Sequence, residues 1–555
     1  TVECVRIILY TINYQVNLIF VFVVFLQMLL LIWTAVLCGI LYIYLRQVYS
    51  RFSKHGVKYI KPLPILGNMA PTLLRKCHFV EDLENYYQKF PEERFVGRFE
   101  FMVPTVLVRD LDLMKKVTIK DFENFMDHRG FADEAVEPIF ARNLFTLKGD
   151  EWKDMRSTLS PAFTSSKIRV MVPFMEEVGN QMMAVLKKKI EANGKAIEVD
   201  VKDLTTRYSN DVIATCAFGL KVDSYVEENN KFYEMGKIAA SFKLRQMLML
   251  MAYSAFPALV KKLKLTLFTK ETTNFFITLV KDTMHAREAN HIIRPDMIHL
   301  LMEAKKGRLS HEAKDSVGDA GFATVEESDV GKTTVKREWT DNDLIAQAVL
   351  FFIAGFETIS VAMCFTLHEL ALHPEVQDKL AKEIREHLKN GGKIDFNSIQ
   401  NLRYMDMVIS EVLRLWPPAI ATDRVCNKDY NLGKPNKNST EDFIVRKGEV
   451  LFLPIWSIHR DPKYFPNPEK FDPERFSDEN KDKINPIAYL PFGVGPRNCI
   501  GSRFALCELK MLIFQIIQHM EVSPSPKSCI PAKLSLESFN LRLKGGHWLN
   551  FNIRE

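Results

Sequence analysis

Residues 7–45 carry no charged side chain, and within them residues 18–44 are apolar at almost every position. A surface helix interrupts such a run every third or fourth residue, so this pattern predicts a helix with no solvated face. It exceeds the roughly 20 apolar residues needed to cross a bilayer. Arg46, Arg51, Lys54, Lys58 and Lys61 come next with no acid among them. A cleaved leader has an apolar region of only about 7–15 residues, and the basic flank places the remainder of the chain in the cytosol. We therefore read residues 1–45 as a single-span anchor. Residues 46–65, which end in Lys61-Pro62-Leu63-Pro64, read as a basic, proline-stiffened hinge, and 66–555 as the body.

Beyond the hinge the period of the pattern changes. Residues 95–109 are rich in branched and aromatic residues and predict a two-stranded β segment. From about 149 to 300 the pattern is mostly helical, whereas 303–338 is polar and reads as an exposed loop. Thr340 with Asp343 predicts a capping box opening a helix over 341–372, stopped by Pro374. That helix is nearly apolar from 344 to 367 and belongs at the centre of the molecule. Further helices are expected at 375–389, 403–415 and 500–519, an irregular Pro-rich stretch at 454–496, and a short β end near 534–552. No second core begins and no repeat occurs, so the fold class is mainly α with small β-sheets, in a single large domain.

Composition narrows the function without naming it. A 555-residue chain that is 47% hydrophobic with 25 Pro and 24 Gly is neither disordered nor collagen-like, and it can enclose a large cavity. A dispersed net charge of +6 gives no nucleic-acid footprint. Nine scattered cysteines with no CxxC pair indicate a reducing compartment.

The chemically informative segment runs Phe492-Gly-Val-Gly-Pro-Arg497-Asn-Cys499-Ile-Gly. Its glycines allow close backbone approach to a flat partner, and a helix beginning just after Cys499 favours a thiolate. Arg497, two residues earlier, can reach a carboxylate. Together they suit a thiolate ligand to a planar, dianionic cofactor. This segment resembles the haem-binding loop of the cytochrome P-450 superfamily, and other motifs agree in order: Ala354-Gly355-Phe356-Glu357-Thr358, Glu411-Val-Leu-Arg414, Pro473-Glu-Arg475-Phe476 and Trp152-Lys-Asp-Met-Arg156. The resemblance covers about residues 60–550 and is strongest to insect microsomal family 9, allied to the vertebrate drug-metabolising family 3.

The resemblance implies a haem b cofactor with Cys499 as axial ligand and Phe492 packed against it. Trp152, Arg156, Arg424, Arg497 and His128 would hold its propionates. Glu411, Arg414 and Arg475 would form a structural clamp. Gly355, in a local break of the central helix beside Ala354, would make room for dioxygen, with Glu357 and Thr358 relaying protons. Substrate contacts are expected from Phe125, Phe131, Phe140, Phe351, Ala354, Ile420, Ala421 and Thr422. The implied activity is a monooxygenase of lipophilic compounds, xenobiotics in the first place, at the cytosolic face of the endoplasmic reticulum membrane. With no Walker A and no GxGxxG, electrons would come from NADPH–cytochrome P-450 reductase, with cytochrome b5 as accessory donor, docking near Lys153 and Lys510. Alternative readings are a monooxygenase dedicated to one endogenous lipid or hormone, or a non-catalytic membrane haem or hydrophobic-ligand binder. A zinc-peptidase reading of His368-Glu-Leu-Ala-Leu-His373 fails, because i, i+5 histidines point to different helix faces.

Overall fold

A computed structural model describes residues 2–554 apart from 131, 195, 228–229, 241–243, 308–320 and 326–337. Helix α1 (Val2–Tyr49) is a continuous 48-residue helix, about 72 Å long, exposed along nearly its whole apolar length. The chain then enters the body earlier than the sequence pattern suggested. Phe52 and Val57 are buried, and Phe52 lies so close under Gly97 that a Cβ there would stand 2.3 Å from the ring. Residues 46–65 are therefore not a free hinge, because Phe52 is drawn into an aromatic cluster with Tyr59, Phe99 and Phe443.

The body is mainly helical. Strands β1 (Phe95–Glu100) and β2 (Val103–Val108) form the expected hairpin. Helices α2 (Gly149–Leu159) and α3 (Val172–Asn193), strand β3 (Ala196–Asp200) and helix α4 (Val201–Cys216) come after it. Helix α5 (Asp341–Leu372) opens on the expected capping box: Thr340 Oγ1 accepts from Asp343 N at 3.2 Å, and Asp343 Oδ2 accepts from Thr340 N at 2.9 Å. It passes through the centre of the body, which explains why its apolar pattern has no solvent face. Helices α6 (Pro374–Lys389) and α7 (Arg403–Leu415) precede strands β4 (Thr422–Val425) and β5 (Val450–Leu453). Helix α8 (Ser502–His519) and strands β6 (Met520–Pro524) and β7 (Trp548–Ile553) complete the chain.

The larger sheet has the order β1-β2-β5-β4, with β2 and β5 parallel (Thr105 opposite Val450) and β4 antiparallel to β5 (Arg424 opposite Leu451). The order of the smaller sheet is β3-β7-β6. The β2–β5 pairing joins residues more than 300 positions apart and leaves no local signature, so β5 and the β4 strand that pairs with it are not readable from sequence. Most of the expected 303–338 loop lies outside the described residues. Its residues 321–325 depart from the expectation: Phe322 packs on Phe476 (5.1 Å) and Tyr489 (5.4 Å), and Ala323 is buried.

Candidate active site

A cavity of about 800 Å³ opens between one face of α5, the segment before α8, the start of α2, and β4. Of the nine cysteines only Cys499 and Cys216 line it, and Cys499 is the one whose side chain is exposed there. The loop carrying it is a tight double turn. Gly493 and Gly495 adopt φ of 75° and 74°, Asn498 N donates to Gly495 O (3.0 Å), and Cys499 N donates to Phe492 O (2.9 Å). Gly495 is pressed against the carbonyl of Thr118, in a π-helical turn over Lys116–Lys120. Burial pushes the Cys499 thiol up, while the Gly501 N–H and the Arg156 charge favour its thiolate.

One wall is rich in arginine. Arg497 donates Nε to Met126 O (2.8 Å) and Nη2 to Leu147 O (2.7 Å), and lies 4.0 Å over the Trp152 ring. Burial lowers its pKa to about 9, with Arg424 and Arg156 adding repulsion. Arg424 in β4 is wholly buried; its Nη1 reaches the Asp423 carbonyl (2.7 Å), its Nε has no acceptor, and burial lowers it to about 10. His128 Nδ1 lies 2.9 Å from Asp423 Oδ1, and burial holds the ring at about 4, hence neutral near pH 7. The Arg497, Arg424 and Arg156 guanidiniums crowd together, and the buried Arg424 Nε is without an acceptor among the described residues. The wall is thus suited to an anionic group, and a planar dianion with an iron-binding face fits between it and Cys499.

Several expected roles change. Arg156 also donates to Asn498 O (2.8 Å) and Oδ1 (2.7 Å), bracing the loop that presents Cys499. The expected break in α5 is absent. The helix is continuous, and Thr358 Oγ1 donates to Ala354 O (2.5 Å) while its side chain faces the cavity. Gly355 instead permits close packing, since a Cβ there would meet Ile213 of α4 at 3.1 Å. Glu357 points away from the cavity. It accepts from Lys202 Nζ (3.1 Å), Asn540 Nδ2 (3.0 Å) and Arg542 Nη2 (3.2 Å), and only Asn540 among these lines the cavity. One residue along a helix is a turn of about 100°, which is why Glu357 and Thr358 face different neighbours.

The Glu411 clamp is fully formed. Arg414 donates Nε and Nη2 to the carboxylate (2.7 and 2.9 Å), Arg475 Nε approaches at 3.3 Å, and Asp472 N adds a fourth donor (2.8 Å). Among the expected substrate contacts, Phe351, Ala354, Ala421 and Thr422 line the cavity with Phe492. Phe125 instead stands edge-on to Tyr430 (4.8 Å), Phe140 stacks on Phe268 (3.7 Å), and Ile420 packs against the core; Phe131 lies outside the described residues. Phe79, Phe452, Phe539, Glu100 and Arg129 line the cavity unanticipated. They come from segments that carry no motif, so spacing gave no signal for them. Lys153 pairs with Glu123 (3.0 Å), and Lys510 is wholly buried against Asp406 (3.0 Å), so Lys510 offers nothing to a docking partner.

Residues 57–549 match the family model for cytochrome P450. The chain is 46% identical to "Cytochrome P450 9e2" of Blattella germanica, over 91% of this chain and 94% of that protein. It is 43% identical to "Probable cytochrome P450 9f2" of Drosophila melanogaster (90% and 94% covered), and 38% identical to "Cytochrome P450 6k1" of Blattella germanica (92% and 94% covered). The chain belongs to the cytochrome P450 family: it is a P450 monooxygenase whose cofactor is haem iron with a cysteine thiolate as axial ligand.

Proposed function

We propose that Cys499 is the axial thiolate and that the cavity is the chamber in which lipophilic substrates, xenobiotics in the first place, receive one atom of O₂. The other atom leaves as water, with two electrons and two protons consumed. The observation that carries the reading is that Cys499 and Thr358 open onto one largely apolar cavity beside an arginine-rich wall. When bound, haem iron with a thiolate ligand supplies the electron density that favours O–O cleavage. Arg424, Arg497, Trp152 and Arg156 would hold the cofactor's carboxylates, Arg156 also bracing the Cys499 loop, whereas His128, neutral with its one N–H on Asp423, has no donor left for the contact expected of it. Phe492 packs against the cofactor, and the Glu411–Arg414–Arg475 clamp fixes the segment leading to it. Thr358 holds a proton at Oγ1, within the cavity. Glu357 is tied to Lys202, Arg542 and Asn540, of which only Asn540 lines the cavity, so its own carboxylate does not contact the chamber directly.

Electrons are supplied by NADPH–cytochrome P-450 reductase, with cytochrome b5 as accessory donor. Helix α1 crosses the endoplasmic reticulum membrane, and the basic residues between Arg46 and Lys61 keep the body on the cytosolic face. Reconstitution with reductase and NADPH against a panel of lipophilic compounds tests the activity. Cys499→Ser should abolish the thiolate-type Soret band of the reduced carbon-monoxide complex, whereas Cys507→Ser should keep it. A normal band in Cys499→Ser would overturn the assignment.

A further inference from the structure

A second polar corner of the cavity centres on Arg129, which none of the roles above uses. Phe79, the first residue of the helix Phe79–Lys89, stands edge-on to Phe452 of β5 (centroids 6.4 Å, 83°) and to Phe539 of the C-terminal loop (5.3 Å, 61°). The guanidinium of Arg129 lies 6.0 Å from the Phe452 ring centre. All four side chains line the cavity, and they come from elements widely separated in sequence.

Arg129 is held in one orientation by two carboxylates. Its Nε donates to Asp423 Oδ2 (2.9 Å), its backbone N to the same oxygen (3.2 Å), and its Nη1 to Glu100. Both anions stabilise the charged guanidinium despite its burial. Its third arm, Nη2, has no acceptor among the described residues, and a quarter of the side chain is exposed. A planar fork with two arms anchored and one free is a pre-oriented donor, and ordering it on a ligand costs little further side-chain entropy. In a mostly apolar cavity such a group fixes ligand orientation. Glu100 and Asp423 already serve Arg129 as counter-ions, so a neutral acceptor is enough to satisfy Nη2.

We propose that Arg129 is a specificity-determining residue: Nη2 donates to a neutral carbonyl oxygen of an aromatic, lipophilic substrate whose ring lies among Phe79, Phe452 and Phe539. The inference rests on reading the cavity as the substrate chamber. It requires the ring and the acceptor to sit at a set separation, which makes ester position, rather than lipophilicity alone, decide affinity.

The test uses the haem-loaded full chain and three isomeric esters of near-equal lipophilicity: benzyl butanoate, 3-phenylpropyl acetate and methyl 4-phenylbutanoate. Hexylbenzene serves as the probe without an acceptor. Binding is read from the ligand-induced change in the haem spectrum, which needs no turnover. We expect wild type to favour one ester over the least-favoured by about fivefold or more, in the range that one oriented hydrogen bond supplies. Arg129→Lys, whose single ammonium is drawn between Glu100 and Asp423, should reduce the spread to under about twofold with hexylbenzene affinity unchanged. Retention of the full preference in Arg129→Lys with an intact thiolate-type band would overturn the proposal. If that variant does not load haem, the wild-type series decides alone: the fivefold spread supports the proposal, and a spread within about twofold overturns it. A wild type with the thiolate-type band that responds to none of the four ligands refutes the chamber reading, and the proposal with it.

Discussion

Gly493 and Gly495 separate two costs that usually come together. Both adopt left-handed φ, 75° and 74°, so alanine at either carries the same backbone penalty of about 1–2 kcal/mol. Their surroundings differ. A Cβ on Gly493 has only Asn498 Cα nearby, at 3.8 Å, whereas a Cβ on Gly495 would stand 2.1 Å from the Thr118 carbonyl oxygen. Tolerable contact begins near 3.0 Å, so the Cys499 loop or the Lys116–Lys120 turn must shift by about 1 Å. Neither can swing aside as a side chain would, so overpacking adds about 1–3 kcal/mol, for a total of roughly 2–5 against 1–2. Gly493→Ala should therefore load haem and give a thiolate-type carbon-monoxide band with modestly lowered thermal stability. Gly495→Ala should lose most of that band, through displacement of the loop that presents Cys499. The assay is the reduced carbon-monoxide spectrum per haem, followed through a thermal ramp. Equal behaviour of the two variants would refute the claim that Thr118 sets the position of the loop.

Thr358→Ala should still load haem and bind substrate, but divert NADPH electrons to hydrogen peroxide; an unchanged yield of product per NADPH would remove Oγ1 from proton delivery. Acid lability should trace in part to His459, whose Nε2 accepts from Leu490 N (2.8 Å) and whose Nδ1 faces Arg414 O (3.0 Å), an arrangement that requires a neutral ring. Burial and the Arg414 charge lower its pKa to about 3, while an unfolded histidine sits near 6.5, so its contribution is complete above about pH 6.5 and declines as pH falls toward 3. His459→Gln can keep both bonds without titrating, so its Tm should fall less than that of wild type between pH 6.5 and 5; parallel curves would exclude His459. Deleting residues 2–45 should release much of the protein from membranes with its haem spectrum preserved, and full retention on membranes after the deletion would show that the body binds the bilayer without α1.

Legibility in the sequence tracked how local each feature is. The Cys499 loop and the Thr340–Asp343 cap are short segments whose residue types and spacing are themselves the physical requirement; the i, i+3 pair Glu411–Arg414 is local too, but its spacing is so common that only the family resemblance singles it out. The larger sheet fails that criterion, because β2 pairs with β5 across more than 300 residues. The substrate wall fails it too: Phe79, Arg129, Phe452 and Phe539 meet only after folding, whereas Phe125 and Phe140, expected to touch substrate, spend their rings on Tyr430 and Phe268. Lys510 misleads for a related reason. A lysine on a helix is ordinarily a solvated charge, and only the tertiary approach of Asp406 makes its complete burial tolerable.

The same consideration explains why charged residues assigned to chemistry are committed to the fold as well. Arg497 gives its guanidinium to the carbonyls of Met126, Leu144 and Leu147, and Arg156 gives its own to Asn498. Each ties the segment before α2, or α2 itself, to the Cys499 loop, so two segments about 350 residues apart in the chain move as one unit. Glu357 similarly joins α5 to Lys202 of α4 and to the C-terminal loop at Asn540 and Arg542. Side chains locked in this way hold the cavity's walls in register, which is what a site requires when its reacting atoms must stay within fractions of an ångström of one geometry. The groups left free to act are correspondingly few. The Cys499 Sγ lies exposed in the cavity, the Thr358 hydroxyl is bonded to its own turn, and Arg129 extends one unanchored arm. Rigidity comes from charges spent on backbone carbonyls and carboxylates, and selectivity is left to the small number of donors that are not so spent.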